Sequence, residues 1–79
     1  MSVKIPYAYS NGTLSVEVVL KNAADVFLVD TVNFHNYQRG ERFKYYGGHY
    51  TQTPVRIAVS GIGNWYLIVR GSEYRYRFY

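Results

Sequence analysis

The chain has no cysteine, so no disulfide and no thiolate-bound metal is available to staple it together. Its stability must come from packing, or from packing together with self-association. The same absence fits a reducing compartment, and a cytoplasmic setting is expected, bacterial or in a host cell if the gene is phage-borne. The N-terminus carries no apolar run of signal-peptide type, and no apolar stretch reaches the ~18 residues of a membrane span. Neither a signal peptide nor a membrane partner is therefore expected. Histidine occurs twice, proline twice, and acids number five against nine Lys and Arg. What the chain has instead is aromatic mass, with ten tyrosines and four phenylalanines in 79 residues. Each can bury roughly 150–250 Å². A single domain over residues 1–79 is expected, near the lower size limit for an independent core.

The pattern is that of strands. Asn11-Gly12 is a type I′ hairpin signal. Pairing outward from it would join Val3–Tyr9 to Leu14–Leu20, with Pro6 marking an edge strand. Asn11-Gly12-Thr13 also matches a glycosylation acceptor, and the turn is the preferred reading. Lys21–Ala24 reads as a turn. Asp25–Asp30 is a short apolar run rich in Val and Phe, expected as a buried strand. Thr31–Arg39 reads as polar and irregular, with room for one helical turn. Glu41–Tyr46 alternates, and Gly47-Gly48 would break that strand. At the C-terminal end, Pro54–Val59, Trp65–Arg70 and Glu73–Tyr79 close on paper into a three-stranded meander. Its turns would be Ser60–Asn64 and Gly71-Ser72. The fold class is therefore all-β: a small antiparallel β-sandwich of about 6–7 strands, or alternatively a five-stranded OB-like barrel.

From Val29 to Trp65 the chain carries Asp30, Asn33-Phe34, Tyr37, Gly40, Phe43, Tyr45, Gly47-Gly48, Pro54, Ile57, Val59 and Trp65. This pattern resembles a family of small β-rich bacterial proteins described only as a domain of unknown function. Some of its members are coupled to TIR-like domains of the kind used in bacterial immunity. The resemblance implies an all-β fold and supplies no activity and no catalytic residues. The motif residues also have physical roles. The glycines suit turns, Phe34, Phe43, Tyr45 and Trp65 suit a core, and Asp30 and Asn33 suit Asx hydrogen bonds to a loop.

Catalysis is not expected. A nucleophilic site needs a nucleophile, a base and a group to orient the base. No Gly-x-Ser-x-Gly elbow occurs, and His35 and His49 belong to no recognised motif. Paired metal-ligand spacing is missing, so neither a metal nor a cofactor is expected. Gly61-Ile62-Gly63 follows a strand without opening a helix, unlike a phosphate loop.

Binding is the expected function. In the meander, one face would carry Arg56, Ala58, Tyr66, Ile68, Arg70, Glu73, Arg75 and Arg77, with Arg39, Arg42 and Lys44 forming a second basic cluster. Arginine and tyrosine are enriched at binding hot spots, and guanidinium groups fork onto carboxylates or phosphates. The leading expectation is a non-enzymatic module that docks on an acidic protein or ribonucleoprotein surface. It would act as an adaptor or as a phage or mobile-element inhibitor of a bacterial defence complex such as CRISPR. The alternatives are a nucleic-acid binder, with arginines on phosphates and Tyr66 stacking on a base, and a homodimer in which the same face meets a second copy.

Overall fold

The structure is a computed structural model and describes residues 5–71 and 73–79. It contains β1 (Tyr7–Leu20), β2 (Ala24–Asp30), α1 (Thr31–Gln38), β3 (Tyr46–Tyr50), β4 (Val55–Arg70) and β5 (Tyr74–Phe78). All pairings are antiparallel, in one sheet of order β3-β2-β4-β1-β5. The all-β fold is as expected. It is reached with five strands in one sheet, where the sandwich reading anticipated six or seven.

The difference lies in two long strands. Asn11-Gly12 is not a hairpin turn but lies inside β1, and Ser60–Asn64 is not a loop but lies inside β4. The two segments expected to be turns pair with each other, Gly12 opposite Gly61 and Ser10 opposite Gly63. The ladder therefore runs unbroken from Tyr7↔Tyr66 to Val18↔Val55. Gly12 and Gly61 have φ of +136° and +123°, a region that residues with a Cβ rarely enter. Nothing would meet a Cβ at either site, so the requirement for glycine is conformational.

None of the three expected hairpin pairings forms among the described residues. The C-terminal half of β4 pairs with β2, so Leu67 faces Leu28 and Trp65 faces Asp30. β5 pairs with β1, so Tyr76 faces Val18 and Tyr74 faces Leu20. The expected start of a strand at Val3 and the Ser72 half of the expected Gly71-Ser72 turn lie outside the described residues. Glu41–Tyr45 is not a strand. The strand begins at Tyr46 and runs through Gly47-Gly48, the pair expected to end it. β2 is as read, and the segment after it is a two-turn helix.

The long ribbon brings two halves of one sheet together over a shared core. One half is β4's start, β1's end and β5. The other is β3, β2 and β4's end. Leu14, Val16, Val18, Leu20, Val55, Ile57 and Val59 of the first half pack in one cluster with Val26, Leu28, Trp65 and Leu67 of the second. These residues keep the period of two throughout, even positions on β1 and β2, odd positions on β4. Leu20 N, where the β1–β4 ladder runs out, donates to Thr53 Oγ1 at 3.0 Å.

α1 lies on the outer face of the second half, over Phe27, Val29 and Ile68, which pack with Phe34, Tyr37, Phe43 and Tyr66. Asp30 caps it: Oδ1 accepts from Asn33 N and from Asn33 Nδ2, each at 2.9 Å. Asn33 Oδ1 in turn accepts from Lys44 N at 2.7 Å, which ties the following loop to the helix. Asn33 bonds a loop backbone as expected, whereas Asp30 caps the helix that follows it. Asp30→Ala should cost about 1 kcal/mol, read as a modest drop in Tm with the sheet intact.

Candidate functional site: the uncovered outer face of the sheet

With α1 over one half, the outer face of the other half has no covering element among the described residues. Its side chains come from alternate positions on three strands: Arg56 and Ala58 from β4, Ser15, Glu17 and Val19 from β1, and Arg75 and Arg77 from β5. The register puts Arg56, Glu17 and Arg77 in one row and Val19 beside Arg75 in the next. Glu17 binds both of its neighbours, accepting from Arg56 Nε at Oε2 (3.0 Å) and facing Arg77 Nη2 at Oε1 (3.7 Å). Arg77 also lies over the Tyr79 ring, 5.1 Å from its centroid. Lys21 and Glu73 close the end of the face with a 3.4 Å ion pair between exposed side chains.

Arg75 differs from these. It makes no ion pair among the described residues, and its strand neighbour is Val19, which is 36% exposed. Two hollows meet at this pair. One, of about 450 Å³, is lined by Val19, Leu20, Lys21, Glu73, Tyr74 and Arg75. The other, of about 190 Å³, is lined by Glu17, Val19, Arg75, Tyr76 and Arg77. At the first hollow's wall the Tyr74 phenol is raised above its ordinary pKa, chiefly by burial and then by Tyr76. It stays a neutral hydrogen-bonding group through the physiological range.

The residues read as one basic surface divide three ways. Arg56, Arg75 and Arg77 share the uncovered face, as expected. Ile68 does not, because it is 4% exposed and packs beneath α1 with Phe27 and Val29. Nor does Tyr66, half-buried and stacked on Phe34 with ring centroids 4.1 Å apart and an interplanar angle of 5°. A base could reach that ring face only by displacing Phe34. Arg70 lies over Phe27 and Tyr37 at 6.0 and 5.4 Å. All three moved because β4's end pairs with β2, under the helix, where the meander reading had placed it between Pro54–Val59 and β5.

The second cluster stays separate. Arg39 pairs with Glu41 Oε1 at 2.9 Å and donates to Asn36 Oδ1 at 2.8 Å. Arg42 and Lys44 are exposed in the loop after α1, on the other half of the folded sheet. Val19 and Glu17 were missed as site residues. Their signal was present, since Val19 is the apolar residue at an outward position between Glu17 and Lys21 on a strand that otherwise alternates cleanly.

Histidines and carboxylates form no larger constellation. His49 Nδ1 lies 2.8 Å from Asp25 Oδ1 across the β2–β3 pair, and His35 sits on the exposed side of α1. Among the described residues no three His, Asp or Glu gather as a metal site would need. No helix is long and apolar enough to cross a membrane.

An open five-stranded antiparallel sheet with one short helix on the outer face of one half defines a small all-β domain. The family described as a domain of unknown function (DUF1883) matches residues 8–75, and the chain belongs to it. No curated protein and no solved structure matches the chain.

Proposed function

We propose that this domain is a non-enzymatic binding module that docks an acidic protein segment on the uncovered outer face, with Arg75 as its anchor. The observation that carries the reading is the pairing of an exposed arginine, without an ion pair among the described residues, with an exposed valine, between two hollows. A cation beside apolar surface suits a carboxylate flanked by an apolar side chain. Arg56 and Arg77 are held by Glu17 and set the positive field around that point. Such a surface serves an adaptor or an inhibitor, and an inhibitor of a bacterial defence complex is one such role.

Arg75→Glu is the cleanest probe, because it breaks no ion pair among the described residues and meets solvent. Thermal stability should stay within about 0.5 kcal/mol of the parent. Capture of the partner from native-host lysate, identified by mass spectrometry, should fall at least tenfold. Arg77→Glu is less informative, since it would set a second carboxylate against Glu17. Undiminished capture by the Arg75 variant sinks the reading. Affinity for oligonucleotides that falls steeply with salt would favour the nucleic-acid alternative.

A further inference from the structure

A second hollow with unspent positive charge lies on the other half of the molecule, between α1 and the loop that follows it. It measures about 500 Å³ and is lined by Asn33, Asn36, Arg42, Phe43 and Lys44. Arg42 and Lys44 are exposed and make no ion pair among the described residues. The chain has few acids to offer them. Glu17 holds Arg56 and Arg77, Asp25 holds His49, Asp30 caps α1, Glu41 holds Arg39, and Glu73 holds Lys21. All five Asp and Glu of the sequence are thereby engaged elsewhere, and the charge facing this hollow is uncompensated.

The walls are set in place by bonds that do not use the two cations' side chains. Lys44 N donates to Asn33 Oδ1 at 2.7 Å, and Glu41 N donates to Asn36 O at 2.9 Å. Gly40, at φ +73°, makes the bend between them. Phe43 is anchored by its ring contacts with Phe27 and Tyr37, at 6.2 and 5.3 Å. Asn36 Oδ1 accepts from Arg39 Nη2 at 2.8 Å, which fixes the orientation of its amide and leaves Nδ2 as a donor without a partner among the described residues.

We propose that this hollow binds a phosphate group. A guanidinium, an ammonium and an amide N–H line one cavity beside an apolar ring. A carboxylate offers two oxygens in one plane and a single charge. A phosphate ester offers up to three terminal oxygens arranged about phosphorus and up to two charges, so it can satisfy all three donors together. The volume suits an organic phosphate of nucleotide size, with Phe43 as the apolar wall. This site shares no residue with the Arg75 face, so Arg75→Glu should leave it unchanged.

Amide-resonance titration of the whole chain tests the proposal, with inorganic phosphate, a nucleoside 5′-monophosphate and oligothymidylates of increasing length as probes and acetate as the control anion. Saturable shifts should centre on Asn36, Arg42 and Lys44, and acetate at equal ionic strength should not produce them. Arg42→Gln and Lys44→Gln should each weaken nucleoside monophosphate binding about tenfold. Asn36→Asp keeps the oxygen that Arg39 uses and replaces the free donor with a second carboxylate oxygen, so it should weaken binding as much with the fold intact. An oligothymidylate that binds no tighter than the monophosphate assigns the site to a free phosphate ester. Affinity that climbs with strand length and falls steeply with salt assigns it to a nucleic-acid backbone. The proposal is overturned if no phosphate probe gives saturable shifts there, if acetate reproduces them, or if they survive Arg42→Gln combined with Lys44→Gln.

Discussion

Gly47→Ala should release β3 from the sheet. Gly47 has φ of +147°, and a Cβ there would run into the Val26 carbonyl oxygen while sitting 3.0 Å from Phe27 Cα. Both obstacles are main chain of the neighbouring strand β2, which cannot swing aside as a flexible side chain can. Backbone strain and overpacking each cost about 1–3 kcal/mol. Together they exceed what a five-residue edge strand gains from its pairing, so detachment is the cheaper outcome. Gly48 is the internal control, because nothing lies within 4 Å of its would-be Cβ and its φ is not positive. Trp65 is the only tryptophan, and Tyr46 of β3 packs edge-on against it at 5.7 Å. Gly47→Ala should therefore shift tryptophan emission to the red and remove amide-exchange protection along β2–β3, while Gly48→Ala leaves both nearly as they are. Equal behaviour of the two variants would refute the close approach of β2 and β3 at Gly47.

Leu67→Ala should come close to unfolding the chain. Leu67 is 1% exposed and faces Leu28, itself 0% exposed, across the β2–β4 pair. It joins the two halves of the sheet in the inner core. Truncating a buried leucine costs about 2–5 kcal/mol, and a chain of this length has a net stability of only about 4–12 kcal/mol. Tm should fall by at least about 10 °C. Ile62→Ala removes as much apolar volume from a side chain that is 76% exposed, and should change stability by less than about 0.5 kcal/mol. Matching thermal midpoints for these two variants would contradict the burial of Leu67 in the inner core and the exposure of Ile62.

Leu67 and Ile62 both lie on β4, and its course is where the sequence was hardest to read. Val55, Ile57, Val59, Trp65 and Leu67 occupy odd positions whether Ser60–Asn64 is a five-residue loop or part of the strand. A loop of that length returns the chain in the same parity. The inward set was therefore legible, and the connection was not. On β1 the two readings do differ. A two-residue turn at Asn11-Gly12 would have put Tyr7 and Tyr9 on the face of Leu14, whereas the straight strand turns them outward and brings Ala8 and Ser10 inward. The Asn-Gly signal favoured the turn because both residues tolerate positive φ. The structure uses that tolerance only at Gly12, inside the strand.

The candidate site was partly legible for the same reason. Arg56, Arg75 and Arg77 stand at outward positions on their own strands under any pairing, so local alternation was enough to expose them. Tyr66 and Ile68 stand at outward positions as well, but outward on β4's end means under α1. The weak polar-looking run Thr31–Gln38 did not announce a helix that would cover them. Phe34 and Tyr37 gave some warning, being apolar at helical spacing within that run.

Alternation along each segment, which follows from side chains pointing to opposite sides of a pleated backbone, was enough to establish an all-β chain, its inward residues and its outward arginines. Partner choice among strands was decided only in three dimensions. Main-chain hydrogen-bonding groups are the same at every position, so no local pattern says that β4 should meet β1 and β2, or that β5 should meet β1. That choice was made by the joint packing of two half-sheets around Leu28, Leu67 and Trp65, a constraint that exists only once the whole ribbon has folded over.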